Sequence, residues 1–465
     1  MTGRKAQAAD RLAKLFVDLE QDADLDAAIT RLTQTPVQLL LEPDVAESET
    51  LQLCSLLATT TALRAFPAGV KVILRDDGPL LPGLSPTGSI AAALASLGAD
   101  IARRVDVRLP SVVIGGREPL RGLGRHAVRA VPRGWAGGAV PVNLTAPVSI
   151  PGVLGATLAG AIGVSECFLG VHGLEVRACR RVGGFSAWSP DLLWTDDNAA
   201  GPRLAHLPSR TWLVGLGHLG QAMAWLLGAL PYGEPKDVQI ALQDIDHVSV
   251  ENIGTSLLAS RDNVGTRKTR VVDIALRAAG FETQLVERRM DRNQQLQADE
   301  PRFAIAGLDS PAARRPLSTV GWSPLLDAGI GAGARDFTQI VIRRLTDDRP
   351  SQRVFDVDDS GMAERLLAEN AQYRSRVAGG EDRCGVLQAA GEAVGTAFVG
   401  ATAAVMAIAE AIRPLHGGPS LDVMSVDLRN PTEVHFAIRE ERSTDWPPHA
   451  PARAMREGKA HSPAE

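Results

Sequence analysis

The sequence predicts an α/β protein with two doubly wound domains, each built on a mostly parallel sheet covered by helices. Its 465 residues exceed what one hydrophobic core usually organises. Strand-like apolar runs alternate with helix-like segments through the second half, which is the pattern of a parallel sheet with crossover helices. Two similar helices rich in small residues occur once in each half, which indicates a duplicated domain.

Composition limits the class of protein and its partners. Hydrophobic residues make up 45% of the chain and charged residues 22%, which is ordinary for a folded domain. The net charge of −5 predicts no general affinity for nucleic acid or for acidic membranes. The N-terminal segment has no apolar signal core, and the longest apolar run, 394–409, is predicted to be a buried helix. We therefore expect a cytoplasmic protein.

The repeated helices begin with LGAT at Leu154 and with VGAT at Val399. Each carries a late glutamate, Glu166 or Glu410, and each is followed by His-Gly. Unrelated buried helices rich in alanine and glycine also look alike, so a chance similarity stays open at this point.

The predicted domains cover residues 1–200 and 201–442, with a link at 195–210. A polar segment at about 346–387 interrupts the second domain as a crossover loop. The tail, 443–465, contains four prolines and is predicted to be disordered. The first domain has strand-like runs but no glycine loop followed by paired acids, so we predict that it is degenerate.

Hydrophobic periodicity predicts the individual elements. Strands of the first half are predicted at 37–43, 70–74 and 111–116. In the second half, strands are predicted at 283–290, 303–307, 324–329, 336–345, 421–428 and 433–439, and helices at 218–229, 266–279, 362–377 and 388–413.

The most informative stretch, TWLVGLGHLG, is an apolar run that ends in Gly215, Gly217 and Gly220. An apolar strand that feeds a glycine loop into a helix is typical of a phosphate site, because the helix N-terminus offers free amides and a positive dipole end. Gly215 and Gly217 allow the tight turn and the close approach of a phosphate. Alone, the motif would equally suggest a dinucleotide cofactor.

The residues that follow favour ATP over a dinucleotide. The next strand ends in two acids, Asp244 and Asp246, and Asn252 and Lys268 come after it. A dinucleotide fold needs one acid for the ribose, whereas paired carboxylates with an amide and an amine suit ATP, its magnesium and its triphosphate. Asp309 follows a later strand and could serve the same nucleotide.

With these motifs in this order, residues 211–330 resemble the ThiF/MoeB/ubiquitin-activating adenylyltransferase superfamily. Members adenylate the C-terminal glycine of a ubiquitin-like protein, and many then capture it as a thioester. The resemblance implies two Rossmann-like adenylation domains that form a pseudo-dimer with an inactive first half. The matching residues are Gly215, Gly217, Gly220, Asp244, Asp246, Asn252, Gly265, Lys268, Asp309 and Arg314.

The resemblance implies a role for each matching residue. Lys268 would screen the triphosphate, Asp309 would hold magnesium beside the α-phosphate, and Asn252 would bond a phosphate oxygen. Asp244 or Asp246 would bind the ribose hydroxyls, although either could instead cap a turn. Arg314, which follows the later acid in the family pattern, would complete the nucleotide site.

The sequence departs from the family pattern in two ways. The arginine expected three residues after Asn252 is Thr255, so Arg261, Arg267 or a charge from the first half would have to compensate. The structural zinc that many relatives hold on two CxxC pairs cannot form, because no CxxC occurs here. The four cysteines are Cys54, Cys167, Cys179 and Cys384.

Cys384 is the predicted nucleophile, since thioester-forming relatives place their cysteine near the crossover loop. It stands between a polar segment and a long helix, whose N-terminal end would favour the thiolate. The alternative is an unreactive cysteine at the start of a buried helix. Cys54 and Cys167 are predicted to be core residues, and the widely spaced thiols fit a reducing compartment.

We therefore predict an activating enzyme that uses ATP and Mg²⁺ on a ubiquitin-like protein ending in glycine, within a bacterial conjugation system that could serve antiviral defence. One alternative is a sulfur-carrier or small-peptide adenylyltransferase without a thioester step. A dinucleotide-binding oxidoreductase and an inactive nucleotide-binding scaffold belong to other classes, and the paired acids, Lys268 and Asp309 disfavour them. A conjugating enzyme as partner and a homodimer are left open.

Overall fold

The structure is a computed structural model that describes residues 11–19, 21–22, 24–81, 88–331, 333–356, 362–380, 394–440 and 447–455. The strands of the first half are β1 (Val37–Leu41), β2 (Val70–Leu74), β3 (Asp100–Ile101), β4 (Ser111–Ile114), β5 (Ala127–Arg133), β6 (Ala136–Pro141) and β7 (Gly183–Ser186). Those that follow are β8 (His206–Pro208), β9 (Arg210–Val214), β10 (Gln239–Gln243), β11 (Glu282–Val286), β12 (Phe303–Ala306), β13 (Leu325–Ile330), β14 (Gln339–Leu345), β15 (Leu421–Asp427), β16 (Val434–Ile438) and β17 (His449–Pro451).

Two large sheets confirm the predicted α/β fold with two domains. Their strand orders are β3-β2-β1-β4-β5-β6-β7 and β11-β10-β9-β12-β13-β14-β15-β16. Strands β1 to β7 match β9 to β15 one for one, and the neighbours of β1 and β9 are parallel in both sheets. β5–β6 and β13–β14 are the corresponding antiparallel pairs. The duplication is therefore visible in the topology itself.

Helices cover the sheets and separate them from each other. The α-helices are α1 (11–18), α2 (Leu25–Gln34), α3 (Glu49–Ala65), α4 (Ile90–Ser96), α5 (Val153–Val171), α6 (His218–Ala229), α7 (Lys268–Ala278), α8 (Pro311–Arg314), α9 (Ser351–Val354), α10 (Met362–Glu369), α11 (Ala371–Ala378) and α12 (Ala397–Ile412). α3 and α5 of the first half pack against α12 of the second, which also packs against α6, so a single apolar core joins the halves.

The repeated helices α5 and α12 lie at the centre of this core. By length and composition alone, Val153–Val171 and Ala397–His416 could cross a membrane, but 94% and 100% of these windows are buried inside the protein. Their late glutamates are buried as well, and each pairs with arginine. Glu166 binds Arg181, and Glu410 binds Arg344 at 2.7 Å and also Arg413.

These two charge clusters hold the halves together in a reciprocal way. Arg181 of the first half donates to the carbonyl of Leu428 at the end of β15, at 3.2 Å. Arg413 of the second half donates to the carbonyl of Ala187 at the end of β7, at 3.0 and 2.6 Å. Because a buried guanidinium requires acceptors, these contacts fix the pseudo-dimer as well as neutralising the glutamates.

Two expectations about the second half were wrong. Residues 362–377 form two helices, α10 and α11, because the Asn370 side chain caps α11 by accepting from Gln372 N at 2.9 Å. The tail is not disordered throughout, because β17 pairs antiparallel with β8. Its prolines lack N–H groups, yet the carbonyl of Pro448 still accepts from Ser209 N at 2.7 Å.

Candidate functional site

The glycine loop connects β9 to α6 as predicted, and each glycine meets a different requirement. Gly215 has φ +83°, a left-handed conformation that favours glycine. A Cβ on Gly220 would lie 1.9 Å from the carbonyl oxygen of Gly215, so only glycine lets the helix approach the loop. A Cβ on Gly217 would meet nothing within 4 Å. Gly217 therefore borders open space at the N-terminal end of α6.

Asp244 anchors this loop. One carboxylate oxygen accepts from Leu216 N at 2.6 Å, and the other accepts from Asp246 N at 2.8 Å. Hydrogen bonds from backbone amides to a carboxylate are strong and short. The structure thus gives Asp244 a role in shaping the loop, which is closer to the capping alternative than to a free ribose ligand.

Lys268 and Asp246 lie together at the same edge. Lys268 Nζ is 3.0 Å from Asp246 Oδ2, and the Asp246 side chain is 60% exposed. Lys268 begins α7 and is tied to the acid again through its backbone N, 2.9 Å from Asp246 O. Asn252, which follows Asp246 in the sequence, is buried. Its Oδ1 accepts from Ser249 N at 3.0 Å and thereby caps a 3₁₀ turn.

Asp309 lies just beyond β12, next to the glycine loop. Gly307 at the end of this strand donates to Val214 O at 2.8 Å, so the two loops share a border. The Asp309 side chain is exposed, and the described residues offer it no hydrogen-bond partner. Arg314 does not extend into the open space. Its Nε and Nη2 donate to the carbonyl of Leu308 at 3.0 and 2.6 Å.

The first half contributes to this edge of the second. Arg64 in α3 donates through Nε to Ser256 O at 2.8 Å and through Nη2 to Leu257 O at 2.6 Å. Burial lowers the pKa of Arg64 to about 10. Ser256 and Leu257 directly follow Thr255. Arg64 of the first half therefore fixes the loop that carries Asn252, the predicted phosphate ligand.

His218 follows Gly217 and begins α6. Burial, assisted by the charge of Arg11 in α1, lowers the pKa of His218 to about 4. Its Nε2 is buried without a hydrogen-bond partner in the described chain, and a Cβ on Gly400 would lie 2.4 Å from it. The imidazole therefore packs against the start of α12.

The residues that could replace the missing family arginine differ in how they are bound. Thr255 is buried against Gly395, and Arg267 is committed to Glu287 at 3.4 Å and to Ile245 O at 3.3 Å. Arg11 instead has a buried Nε without a hydrogen-bond acceptor among the described residues. Sequence alone could not single out Arg11, because it belongs to the other half.

The equivalent edge of the first half is filled by its own side chains. Asp44 follows β1, and both its oxygens accept from Gly116 N at 3.0 Å. Arg129, which is 1% exposed, donates to the carbonyls of Gly115 at 2.6 Å and of Glu118 at 2.7 Å. A carboxylate and an arginine bound to backbone carbonyls therefore occupy the place that a glycine loop leaves open in the second half.

Comparison with known proteins decides the family. Residues 36–187 match the family model of the BilD N-terminal domain, and residues 207–418 match that of the BilD C-terminal domain. A bacterial E1-like protein BilD from Collimonas sp. (strain OK412) is 32% identical over 428 residues, which cover 92% of each chain. The chain belongs to the BilD family of bacterial E1-like proteins. This membership confirms the resemblance drawn from the motifs and the assignment to the ATP-dependent adenylyltransferases.

Solved structures with a detectable likeness are more distant. Escherichia coli MccB is 15% identical, with a TM-score of 0.31, over 50% of this chain and 62% of MccB. The E. coli tRNA N6-threonylcarbamoyladenosine dehydratase TcdA is 19% identical, with a TM-score of 0.28, over 45% of this chain and 86% of TcdA. MccB has also been crystallised with ATP and with MccA.

Among the cysteines, Cys54 and Cys167 are buried in the core as predicted. Cys179 is buried too, and its N–H donates to Glu166 at 2.7 Å. Burial raises the pKa of the Cys54 thiol, which makes it a poor nucleophile at neutral pH. Cys384 lies outside the described residues, so its role remains a prediction.

Proposed function

We propose that this chain uses ATP to adenylate the C-terminal glycine of a ubiquitin-like protein and then holds the product as a thioester on Cys384. The observation that carries the adenylation step is the open space beside Gly217, bordered by the α6 N-terminus, the Lys268–Asp246 pair and the exposed Asp309. The E1-like relative supports a protein as the substrate.

In the adenylation step, a substrate carboxylate oxygen bonds to the α-phosphorus of ATP, and the bond to the bridging oxygen breaks to release pyrophosphate. The chain contributes position and charge to this step. Lys268 screens the departing phosphates, the α6 N-terminus donates amides, and the side-chain NH₂ of Asn252 donates to a phosphate oxygen. Arg11 supplies the charge that Thr255 lacks.

The residues present fit one Mg²⁺ held mainly by the nucleotide. No group of three or more histidine, cysteine, aspartate or glutamate side chains converges on a metal position in the described residues. Mg²⁺ commonly binds through one or two carboxylates plus substrate phosphates, and it offsets phosphate charge when bound. Asp309 is the carboxylate that would hold it, while Asp246 is the exposed acid that remains for the ribose.

In the second step, the Cys384 thiolate attacks the carbonyl carbon of the adenylate, and AMP leaves. The region around the predicted crossover loop contacts the first half. In α11, Tyr373 donates to Asp18 Oδ1 at 2.5 Å. Asn370 Nδ2 also donates to Val17 O at 3.3 Å.

The test pairs ATP–pyrophosphate exchange with detection of a reductant-sensitive adduct to a cognate ubiquitin-like protein. Cys384→Ala should retain the exchange and lose the adduct, because the first step does not use the thiol. Cys54→Ala is the matched control and should retain both. Exchange without any adduct in wild type would favour the alternative, an adenylyltransferase for a sulfur carrier or small peptide.

A further inference from the structure

Asp327 is an acid in an otherwise apolar strand, β13, and its side chain is 0% exposed. Its carboxylate lies 3.5 Å from Arg314 Nε and 3.6 Å from Arg343 Nη1. Neither carboxylate oxygen has a hydrogen-bond partner among the described residues. A buried carboxylate held by charge at these distances is costly to retain for stability alone.

Arg314 connects Asp327 to the strand end that carries Asp309. Two nitrogens of its guanidinium converge on the carbonyl of Leu308, the residue directly before Asp309. The guanidinium also lies over the Phe355 ring, 5.4 Å from the centroid. A Cβ on Gly329 would lie 3.1 Å from Arg314 Nη1, so the strand leaves room for this side chain.

We propose that Asp327 is a positioning residue for the reaction, acting on Asp309 through Arg314. The charge of Asp327 keeps the guanidinium directed at Leu308 O, and this contact sets the backbone from which the Asp309 carboxylate projects. Asp309 itself has no other side-chain tether in the described chain, so its direction depends on that backbone. This inference rests on the proposed magnesium-binding role of Asp309.

The first half supports the assignment by contrast. Ala306 pairs with Asp327 in the register of the second sheet, and Ile114, the matching end of β4, pairs with Ala130. The buried acid is thus missing in the half where Arg117 stands at the position that matches Asp309. There, Arg129 binds the carbonyl of Gly115 from one residue earlier in β5.

The experiment measures ATP–pyrophosphate exchange against Mg²⁺ concentration at saturating ATP. Asp327→Asn should raise the Mg²⁺ concentration for half-maximal exchange by about tenfold or more, the usual effect of removing a group that orients a metal ligand. Glu166→Gln removes a comparable buried carboxylate from the first half and should leave this Mg²⁺ requirement unchanged. Thermal unfolding of both variants separates a loss of stability from a change in the site.

An unchanged Mg²⁺ requirement in folded Asp327→Asn would overturn the inference, even if its unfolding temperature falls. Where Asp327→Asn does not fold, Arg314→Lys serves instead, because lysine keeps the charge beside Asp327 but cannot fork onto Leu308 O. It should show the same shift, and an unshifted requirement would again overturn the inference. Full exchange in Asp309→Ala would instead refute the proposed function on which the inference rests.

Discussion

The two halves have the same strand order but end their equivalent strands with different chemistry. After β9, the second half has a glycine loop with open space beside Gly217. After β1, the first half has Glu42, Pro43 and Asp44, and the Asp44 carboxylate is bonded to Gly116 N. The two halves therefore share a fold, but side chains of the first half fill the space that the second half leaves open for a ligand.

The largest expected difference between the halves is the effect on ATP–pyrophosphate exchange of removing an acid from each. Asp309→Ala should lower ATP–pyrophosphate exchange by about a hundredfold or more, because the phosphates lose charge stabilisation as the bond breaks. Asp44→Ala, which removes an acid from the equivalent edge of the first half, should leave exchange unchanged. Equal losses in both variants would show that the halves are not divided into an active and an inactive copy.

The glycine loop separates a nucleotide contact from a packing contact. Gly217→Val should lower ATP affinity by about a hundredfold with little change in unfolding temperature, because its side chain would meet only the space of the phosphate. Gly220→Ala should lower the unfolding temperature, because its Cβ would lie 1.9 Å from Gly215 O. Calorimetric titration with ATP and thermal unfolding test the pair. Unchanged ATP affinity in Gly217→Val would make the loop purely structural.

The contribution of the first half to catalysis is tested at Arg11. Arg11→Ala should weaken ATP binding by roughly thirtyfold, the scale of about 2 kcal/mol for a hydrogen bond to a charged group. Arg31→Ala is a control, since Arg31 pairs with Asp22 within the first half at 3.0 Å. If Arg11→Ala binds ATP normally, the charge that replaces Thr255 comes from elsewhere.

The smallest expected effect is a pH dependence of stability. Burial lowers the pKa of His172, which lies among Phe16, Phe66 and Phe168, to about 3. The unfolded chain binds more protons than the folded one between that value and about 6.5, so stability rises with pH through this window and is complete above it. From pH 7 to 5.5 the loss should be about 1 kcal/mol for this group.

Denaturant unfolding of His172→Gln at both pH values measures that contribution. The variant should lose less stability than wild type on acidification, because glutamine does not titrate. His218, whose pKa is lowered to about 4, is the counterpart in the second half, and His218→Gln should show the same direction of change. An unaltered pH dependence in both variants would contradict the burial of these rings.

Sequence predicted the parts of the site that are local. The glycine loop needs only its own spacing, and α6 occupies residues 218–229 as predicted, because apolar periodicity and glycine placement are short-range signals. Asp244 and Lys268 were also found from local motifs. Their contacts, such as the bond from Leu216 N to Asp244, depend on how neighbouring strands align.

The contacts that sequence missed join distant segments. Arg11 and Arg64 reach the second half from helices of the first, and no spacing rule predicts such pairs. Asp327 did carry a signal, since a charged residue inside the run PLLDAG requires a buried partner, but only the register of β13 identifies Arg343 opposite it. The sequence did not predict the strand at 449–451, because prolines are usually confined to sheet edges and to segments that do not pair.

The pairing of β17 with β8 restricts the motion of the link between the halves. β8 lies in the link between the halves, and it is held on one side by β17. Arg453, just beyond β17, also pairs with Glu49 of the first half at 2.7 Å. A linker fixed in this way is a poor hinge, because a hinge needs residues free to change their backbone angles. Conformational steps of the reaction cycle should therefore occur within the second half and not as a swing of one half against the other.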